Sequence, residues 1–132
     1  MRNILRILSL VILVAACGCS NDDSLGHLKV IDSSGLQDAN GDSGTIKFLV
    51  EWENVVWTVE EVPGADGTFL SNLKPEYAGV LDNNGYTTGS VYFSRNETGK
   101  KRQTTLVLKP IEGSAEEVYI TVTQLKYIPP EE

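Results

Sequence analysis

The fold is decided by one stretch, TIKFLVEWENVVWTVEEV, which occupies residues 45–62. Charged residues alternate with apolar ones in its first half, and Thr58 and Glu60 do the same in its second half. Alternation with a period of two is typical of a strand with one buried face. Asn54 interrupts the pattern between the two halves, so the stretch predicts two strands, over 45–52 and 55–62. Their inward side chains are Ile46, Phe48, Val50, Val55, Trp57 and Val59.

The remaining segments extend this pattern along the chain. Further strands are predicted over 28–31, 69–73, 90–94, 103–109 and 118–124, separated by clusters of Gly, Asn, Asp and Pro. Residues 32–44 are predicted to be loop, and residues 77–88 to be irregular with a tight turn at 82–85. Short strands with frequent turns indicate a sandwich or a barrel. We therefore predict an all-β, immunoglobulin-like β-sandwich of about seven strands over residues 28–128.

Length and charge exclude several classes of protein. The chain has 132 residues, 11 Lys and Arg against 18 Asp and Glu, and a formal net charge of −7. This length accommodates one domain. The acidic balance argues against a nucleic-acid partner, because such proteins carry basic patches.

The N-terminus has the pattern of an export signal. Arg2 and Arg6 precede an apolar run over 7–16 that is too short to span a membrane as a helix. Small residues then lead to Cys17 in Leu-Val-Ala-Ala-Cys, which resembles a bacterial lipobox. We predict a signal peptide over 1–16 and lipidation of Cys17, with Cys19 as the alternative acceptor. The competing interpretation is an ordinary secretory cleavage with a disulfide between these two cysteines, but that bridge would close a tiny, strained ring.

An acidic tether over 17–27 follows the cysteine. Its Ser-Asn-Asp-Asp-Ser sequence resembles the export signal of surface lipoproteins of the Bacteroidota. The prediction is a lipid-anchored protein of the outer membrane on the cell surface, with a periplasm-facing position as the alternative. Removal of the signal peptide would change the net charge from −7 to −9, because it takes away two arginines and no acid.

The C-terminal half carries a family resemblance. Asn96 and Arg102 enclose a polar hairpin, and the last strand ends in Ile-Thr-Val-Thr-Gln at Gln124. Together with the Gly-strand-Trp segment ending at Trp57, this order resembles the BACON domain of Bacteroidota, an immunoglobulin-like module found beside glycan-degrading domains. Phe69 stands where that family usually has a second Trp. Of the motif residues, we expect Gln124 to bond backbone across the sheet end, Arg102 to form a salt bridge or cap the hairpin, and Asn96 to occupy a turn with positive φ.

The sequence lacks the combinations that catalysis or tight metal binding needs. His27 is the single histidine, and adjacent acids on a strand, such as Glu60 and Glu61, point to opposite faces. Residues 38–44 place oxygen ligands at alternate positions as a calcium loop does, but Leu49 occupies the position of its closing glutamate. We predict no enzyme activity, no cofactor and no metal, while a calcium ion near Asp38–Asp42 is left open.

Aromatic residues supply the candidate ligand contacts. Trp52 ends its strand and is predicted either to pack at the core or to contact a ligand, and Tyr77 and Tyr86 lie in the irregular segment. With the family resemblance, these residues favour a glycan-binding or adhesive accessory module. The alternative is a structural spacer or a module whose exposed strand edges bind another envelope protein.

Overall fold

The computed structural model describes residues 25–130, so the predicted signal peptide, Cys17 and most of the tether lie outside the described residues. Among residues 25–130, no helix could span a lipid bilayer. The elements are β1 (His27–Asp32), α1 (Ser34–Gln37), β2 (Gly44–Glu53), β3 (Val55–Val62), β4 (Leu70–Lys74), β5 (Asn84–Phe93), β6 (Arg102–Gly113) and β7 (Val118–Gln124).

The seven strands form two antiparallel sheets that face each other. One sheet has the order β1-β2-β5-β4, and the other has the order β3-β6-β7. The prediction of an all-β sandwich with an immunoglobulin-like fold is confirmed. Both strands of the 45–62 stretch are present, one in each sheet.

Asn54 moves the chain from one sheet to the other. Its φ is +51°, a left-handed conformation that Asn adopts more readily than most residues. Its Oδ1 accepts the N–H of Asp82 at 2.8 Å, and its Nδ2 donates to the carbonyl of Leu25 at 3.4 Å. This single residue therefore replaces a loop between β2 and β3 and holds two neighbouring segments.

The core contains the apolar side chains that the alternation predicts. Val50, Val55 and Trp57 are completely buried, and Phe48 is nearly so. Burial of each large apolar side chain contributes about 1.5–3 kcal/mol, so this layer supplies most of the stabilisation between the sheets. The other large or branched side chains of the core are Leu36, Val91, Phe93, Leu106, Leu108 and Val122.

The prediction that residues 32–44 are all loop is wrong. They contain the one-turn helix α1, in which Leu36 is completely buried, and they then pair with the end of β7. The N–H of Ala39 donates to the carbonyl of Thr123 at 2.9 Å, and the N–H of Leu125 donates to the carbonyl of Ala39 at 2.9 Å. Burial of the apolar Leu36 side chain therefore packs this mostly polar segment against the core.

The prediction of irregular structure up to residue 88 is also wrong, because β5 begins at Asn84. Gly85 and Gly89, which resemble turn residues, are the direct partners of Trp52 and Phe48 in β2. A Cβ on Gly85 would come within 2.9 Å of the Trp52 ring, and one on Gly89 would overlap the Phe48 ring. The glycines therefore make room for two large rings inside a regular strand.

The first and last residues that the structure describes lie at opposite ends of the sandwich. The proximal end comprises Leu25 and the turn at Asn54, which the hydrogen bond between them joins. The distal end comprises the loop at Gly41, the hairpin at Asn96 and the segment at Tyr127, joined by Asn96 N–H to Gly41 O and Tyr127 N–H to Asn96 O. Because β2 runs between the ends over 10 residues, they are about 30 Å apart.

Candidate ligand-binding surface

The three predicted ligand contacts, Trp52, Tyr77 and Tyr86, do not converge on one surface. Trp52 is only 9% exposed, and its indole N–H donates to Thr87 Oγ1 at 3.0 Å inside the sandwich. Tyr77 is 68% exposed and lies in segment 75–83, next to Ala78, which pairs with Trp57 at the outer edge of β3. Tyr86 is 66% exposed on the outside of the four-stranded sheet.

Trp52 and Tyr86 still contribute to one small pocket. It has a volume of about 230 Å³, lies at the proximal end, and also takes in His27, Glu53 and Asn84. The His27 Nδ1 lies 3.4 Å from Glu53 Oε1, and both side chains are about half exposed. The pocket therefore offers polar groups beside one tyrosine ring, while the Trp52 ring belongs to the core.

The outward side of β5 carries a row of hydroxyl-bearing side chains at alternate positions, with a tyrosine at each end of the row. Tyr86, Thr88, Ser90 and Tyr92 all point away from the core, because Gly89, Val91 and Phe93 between them are buried. Tyr86 and Tyr92 are six residues apart, so their backbones are separated by about 20 Å along the strand. We call this row the tyrosine row.

The strand beside the tyrosine row adds charge and one apolar side chain. In β2, Glu51 lies opposite Tyr86, Leu49 opposite Thr88, Lys47 opposite Ser90 and Thr45 opposite Tyr92. These side chains also point outward, on the face away from Phe48 and Val50. The result is an outer sheet face on which aromatic rings, hydroxyls, an ammonium group and a carboxylate are side by side.

Tyr92 was not among the ligand contacts predicted from the sequence. Its position in an alternating strand already places it outward, but the irregular structure predicted up to residue 88 separated it from Tyr86. Only the continuous strand from Asn84 to Phe93 puts the two rings in one row. The signal that would have found it is the spacing of Tyr, Thr, Ser and Tyr at every second position.

A larger, open pocket lies at the distal end. It has a volume of about 990 Å³ and lies between the loop 40–43 and the segment Leu125–Pro130. Arg95 contacts two residues that line this pocket. Its Nε is 3.0 Å from Asp42 Oδ1, and its guanidinium lies 4.2 Å from the centre of the Tyr127 ring. Its lining combines apolar residues, such as Leu125 and Ile128, with the charged residues Asp42 and Lys101.

The acidic loop at this end uses its oxygen atoms internally. Asn40 Oδ1 accepts the N–H of Asp42, and Asp42 Oδ1 accepts the N–H of Ser43 and the Nε–H of Arg95. The bond from the Ser43 backbone, followed by that from Arg95, lowers the pKa of Asp42. Within residues 25–130, no group of three His, Cys, Asp or Glu side chains is arranged to hold a metal ion.

The residues that carry the family resemblance meet in a buried network at the distal end. Gln124 and Asn96 are completely buried. The Gln124 Nε2 donates to the carbonyls of Asn40, Gly41 and Ser94 at 3.1, 3.4 and 2.9 Å, while its Oε1 accepts the Nε–H of Arg102 at 2.9 Å. The prediction that Gln124 bonds backbone across the sheet end is confirmed.

Arg102 and Asn96 complete this network in ways the sequence only partly indicated. Arg102 Nη2 donates to the carbonyl and hydroxyl of Ser94, and its guanidinium stacks 4.2 Å from the centre of the Phe69 ring. Burial lowers the pKa of Arg102, and nearby Asp66 and Glu61 oppose this effect. The prediction of positive φ at Asn96 is wrong, because its buried amide instead donates to the carbonyls of Lys100 and Leu125 at 2.8 and 3.0 Å.

The neighbouring acids have separate structural contacts. Glu60 Oε1 lies 3.7 Å from Lys109 Nζ, whereas Glu61 accepts the backbone N–H groups of Phe69 and Leu70. Glu117 accepts the Tyr119 hydroxyl at 2.6 Å, which raises the pKa of Tyr119. These carboxylates therefore hold local structure and do not face one another across a cleft.

Comparisons with known proteins bear on the fold. No family model and no curated protein matches the chain. Among solved structures, a Bacteroides ovatus GH5 xyloglucanase in complex with a XXXG heptasaccharide is similar over 80% of this chain, with 16% identity and a TM-score of 0.52. The ASH/PapD-like domain of human CEP192 is similar over 95% of this chain and 99% of that domain, with 11% identity and a TM-score of 0.49. The chain corresponds to only 20% of the xyloglucanase, so the likeness concerns one part of that enzyme and shows the fold alone.

Proposed function

We propose that this chain is a lipid-anchored module of the bacterial cell envelope without catalytic activity, which binds glycans on the outer face of its four-stranded sheet. The tyrosine row is the observation that carries the proposal. Tyr86 is 66% exposed and Tyr92 37% exposed on the same outward strand face. Rings in such a position match the apolar faces of sugar rings, and the hydroxyls between them match sugar hydroxyls. The resemblance to BACON domains of Bacteroidota supports the same function.

The geometry favours an extended polysaccharide over a single sugar. Enclosed pockets bind small ligands, whereas the tyrosine row is an outward strand face about 20 Å long. Thr88, Ser90 and Lys47 lie between the two rings and supply hydrogen-bond donors along its length. We therefore expect binding to depend on chain length and to require both rings.

The first experiment removes one ring at a time. Tyr86→Ala and Tyr92→Ala are each expected to weaken binding about tenfold, equivalent to about 1.4 kcal/mol per lost ring contact. A glycan array with the full chain identifies the polysaccharide, and affinity electrophoresis in that polysaccharide then compares the variants. Tyr77→Ala, in the same series, tests whether segment 75–83 contributes.

Tyr119→Ala is the matched control for these variants. Its side chain is 61% exposed, close to the 66% of Tyr86, but it lies on the outer face of the other sheet. We expect it to bind as the unaltered chain does. Absence of binding to every glycan on the array would contradict the proposal, as would equal losses in Tyr86→Ala and Tyr119→Ala.

The anchor is tested by a second pair of variants. Cys17→Ser is expected to move the chain from the membrane fraction to the soluble fraction of the producing cells, because it removes the acceptor of the lipid. Cys19→Ser is expected to leave the chain in the membrane fraction. Fractionation followed by immunoblotting gives the result, and protease treatment of intact cells then distinguishes the cell surface from the periplasmic side. Retention of Cys17→Ser in the membrane would contradict the lipidation.

The separation between Leu25 and the segment at Tyr127 favours a second candidate function, that of a spacer. Leu25 lies at the proximal end, and Tyr127 lies at the distal end about 30 Å away. An anchor before residue 25 would thus hold the distal end, with its open pocket, away from the membrane. Crosslinking in cells, followed by mass spectrometry, identifies an envelope protein that contacts this end; no such partner would be found if the chain acts on glycans alone.

A further inference from the structure

The lysines on the outer faces of the two sheets differ in what lies opposite them. Lys29 in β1 is the direct partner of Glu51 in β2. Lys109 in β6 has its Nζ 3.7 Å from the Glu60 carboxylate in β3. Opposite charges on neighbouring strands stabilise each other, so these two lysines each lie beside an acid that balances their charge.

Lys47 and Lys74 instead lie on either side of Ser90. Lys47 of β2 and Lys74 of β4 are both register partners of Ser90, which belongs to the strand between them, β5. Both lysines are exposed, and their neighbours Phe48 and Leu73 pack toward the core, so both side chains lie on the outer face. Neither lysine takes part in an ion pair within residues 25–130.

The spacing of the strands lets both ammonium groups reach one anion. Neighbouring strands are about 4.8 Å apart, so the backbones of Lys47 and Lys74 are separated by about 10 Å, with Ser90 midway. A lysine side chain is a flexible four-carbon stem that ends in three hydrogen-bond donors. Two such stems bring their ammonium groups within reach of the space above the half-buried Ser90, whose hydroxyl is a further donor.

The surroundings of this pair carry little negative charge, although the chain has 18 acidic residues against 11 basic ones. The acid in β2 on the same face is Glu51, four residues from Lys47 and therefore about 13 Å away along the strand. Of the described acids, Glu76 follows Lys74 by two residues but forms no ion pair with it. The outward positions that adjoin Ser90 and its two partners along these strands are Thr45, Leu49, Ser71, Thr88 and Tyr92.

We propose that Lys47, Ser90 and Lys74 bind an acid group of the polysaccharide, a carboxylate or a sulfate ester, so that the tyrosine row takes acidic polysaccharides in preference to neutral ones. The inference rests on the glycan-binding function proposed above and names its ligand class. Lysine binds anions as a point charge and does not require a planar group, so both kinds of acid group fit. We call these three residues the lysine site.

The lysine site also determines where along the row the acidic sugar lies. Ser90 is two residues from Tyr92 and four from Tyr86, so the backbone distances are about 7 Å and about 14 Å. At the Tyr86 end, Lys29 is balanced by Glu51 in the strand between them. The excess of positive charge is therefore at the Tyr92 end, and we expect the sugar that stacks on Tyr92 to carry the acid group.

Pairs of polysaccharides that differ only in charge test the preference. Polygalacturonate and hyaluronan are each compared with their carboxyl-reduced forms, in which a neutral hydroxymethyl group replaces each carboxylate. Dextran sulfate is compared with dextran, so that the carboxylate and sulfate pairs distinguish the two kinds of acid group. Affinity electrophoresis of the full chain measures binding to each polysaccharide. We expect at least one acidic member to bind at least about tenfold more tightly than its neutral counterpart, a difference of about 1.4 kcal/mol.

Lys47→Gln and Lys74→Gln test whether the lysine site carries this preference. Each is expected to weaken binding to the acidic polysaccharide about fivefold at low salt and to leave binding to its neutral counterpart unchanged. Lys109→Gln is the matched control, because it removes the same charge from the outer face of the other sheet, and we expect it to bind as the unaltered chain does. Raising the salt concentration from about 0.01 M to about 1 M shortens the Debye length from about 30 Å to about 3 Å and is expected to abolish the preference.

The outcomes separate this inference from the proposed function. Equal or tighter binding to the neutral member of every pair would overturn the lysine site and leave glycan binding in place. Equal losses in the two lysine-site variants and in Lys109→Gln would also overturn it, because any surface lysine would then attract a polyanion. Binding to no polysaccharide of either charge would overturn both proposals. A thermal melt checks that each variant is folded, and if one is not, the polysaccharide pairs and their salt dependence decide.

Discussion

Replacing Gln124 by leucine is expected to lower the free energy of unfolding by about 3–5 kcal/mol, although leucine has a similar size. The side chain is completely buried. Its two amide hydrogens are shared among three backbone carbonyls, and its Oε1 accepts from Arg102. Leucine fills the space and makes none of these hydrogen bonds. A buried polar group left without its partner costs about 1–3 kcal/mol.

The four partners of Gln124 are affected unequally when leucine removes its hydrogen bonds. The carbonyl of Ser94 keeps the bond from Arg102 Nη2, and the carbonyl of Gly41 keeps the bond from the N–H of Asn96. Asn40 O and Arg102 Nε lose what Gln124 gave them, so about two groups carry most of the cost. A domain of this size has a total stability of about 5–15 kcal/mol, so the variant is expected to unfold at a much lower denaturant concentration.

Gln103→Leu is the matched control for this substitution. Gln103 lies next to Arg102 at the same end of the sheet, but it is exposed, and its amide donates only to Thr123 Oγ1 at 3.0 Å. We expect a change within about 0.5 kcal/mol, as is usual for surface positions. Denaturant unfolding followed by tryptophan fluorescence measures both variants. A Gln124→Leu variant as stable as Gln103→Leu would contradict the role assigned to the network.

The alternating stretches were predictable from the sequence because each has one buried face. Residues 45–62 show this most clearly, and the two strands start and end within one residue of the prediction. The network around Gln124 was predictable only in part. Its partners Asn40, Ser94 and Arg102 come from three separate segments, and periodicity says nothing about which loops meet at one end of a sandwich.

The errors at α1 and β5 have a common physical origin. Local residue preferences favour turns in both segments, but burial of one or two side chains overrides them. In α1 that side chain is Leu36, and in β5 the side chains are the rings of Trp52 and Phe48, which belong to another strand. The tyrosine row lies on β5. Because residues 84–88 were predicted to be irregular, the sequence did not predict that Tyr86 and Tyr92 share one strand face.

Gly89→Ala is expected to destabilise the protein by about 3 kcal/mol, although alanine normally favours regular structure more than glycine does. A Cβ at residue 89 would overlap the Phe48 ring and lie 2.9 Å from the carbonyl of Lys74 in β4. Gly89 is itself buried between β2 and β4, so the strain cannot be relieved toward solvent. Overpacking of a well-packed core costs about 1–3 kcal/mol, and displacing backbone as well as a ring places this change at the upper end.

Gly44→Ala is the control for Gly89→Ala, because a Cβ at residue 44 meets no atom within 4 Å. We expect Gly44→Ala to be neutral or slightly stabilising.

Phe48→Leu combined with Gly89→Ala is expected to recover part of the lost stability, since the smaller side chain vacates the space that the new methyl group needs. Denaturant unfolding of the four chains in this double-mutant cycle gives the coupling energy, expected at about 1–2 kcal/mol. A coupling energy near zero would contradict the inference that the Phe48 ring is what excludes a larger residue at position 89. Gly89 lies between Thr88 and Ser90 and opposite Phe48, so the same cycle would show whether this packing sets the positions of the tyrosine row. Affinity for the polysaccharide should fall in Gly89→Ala and return with Phe48→Leu.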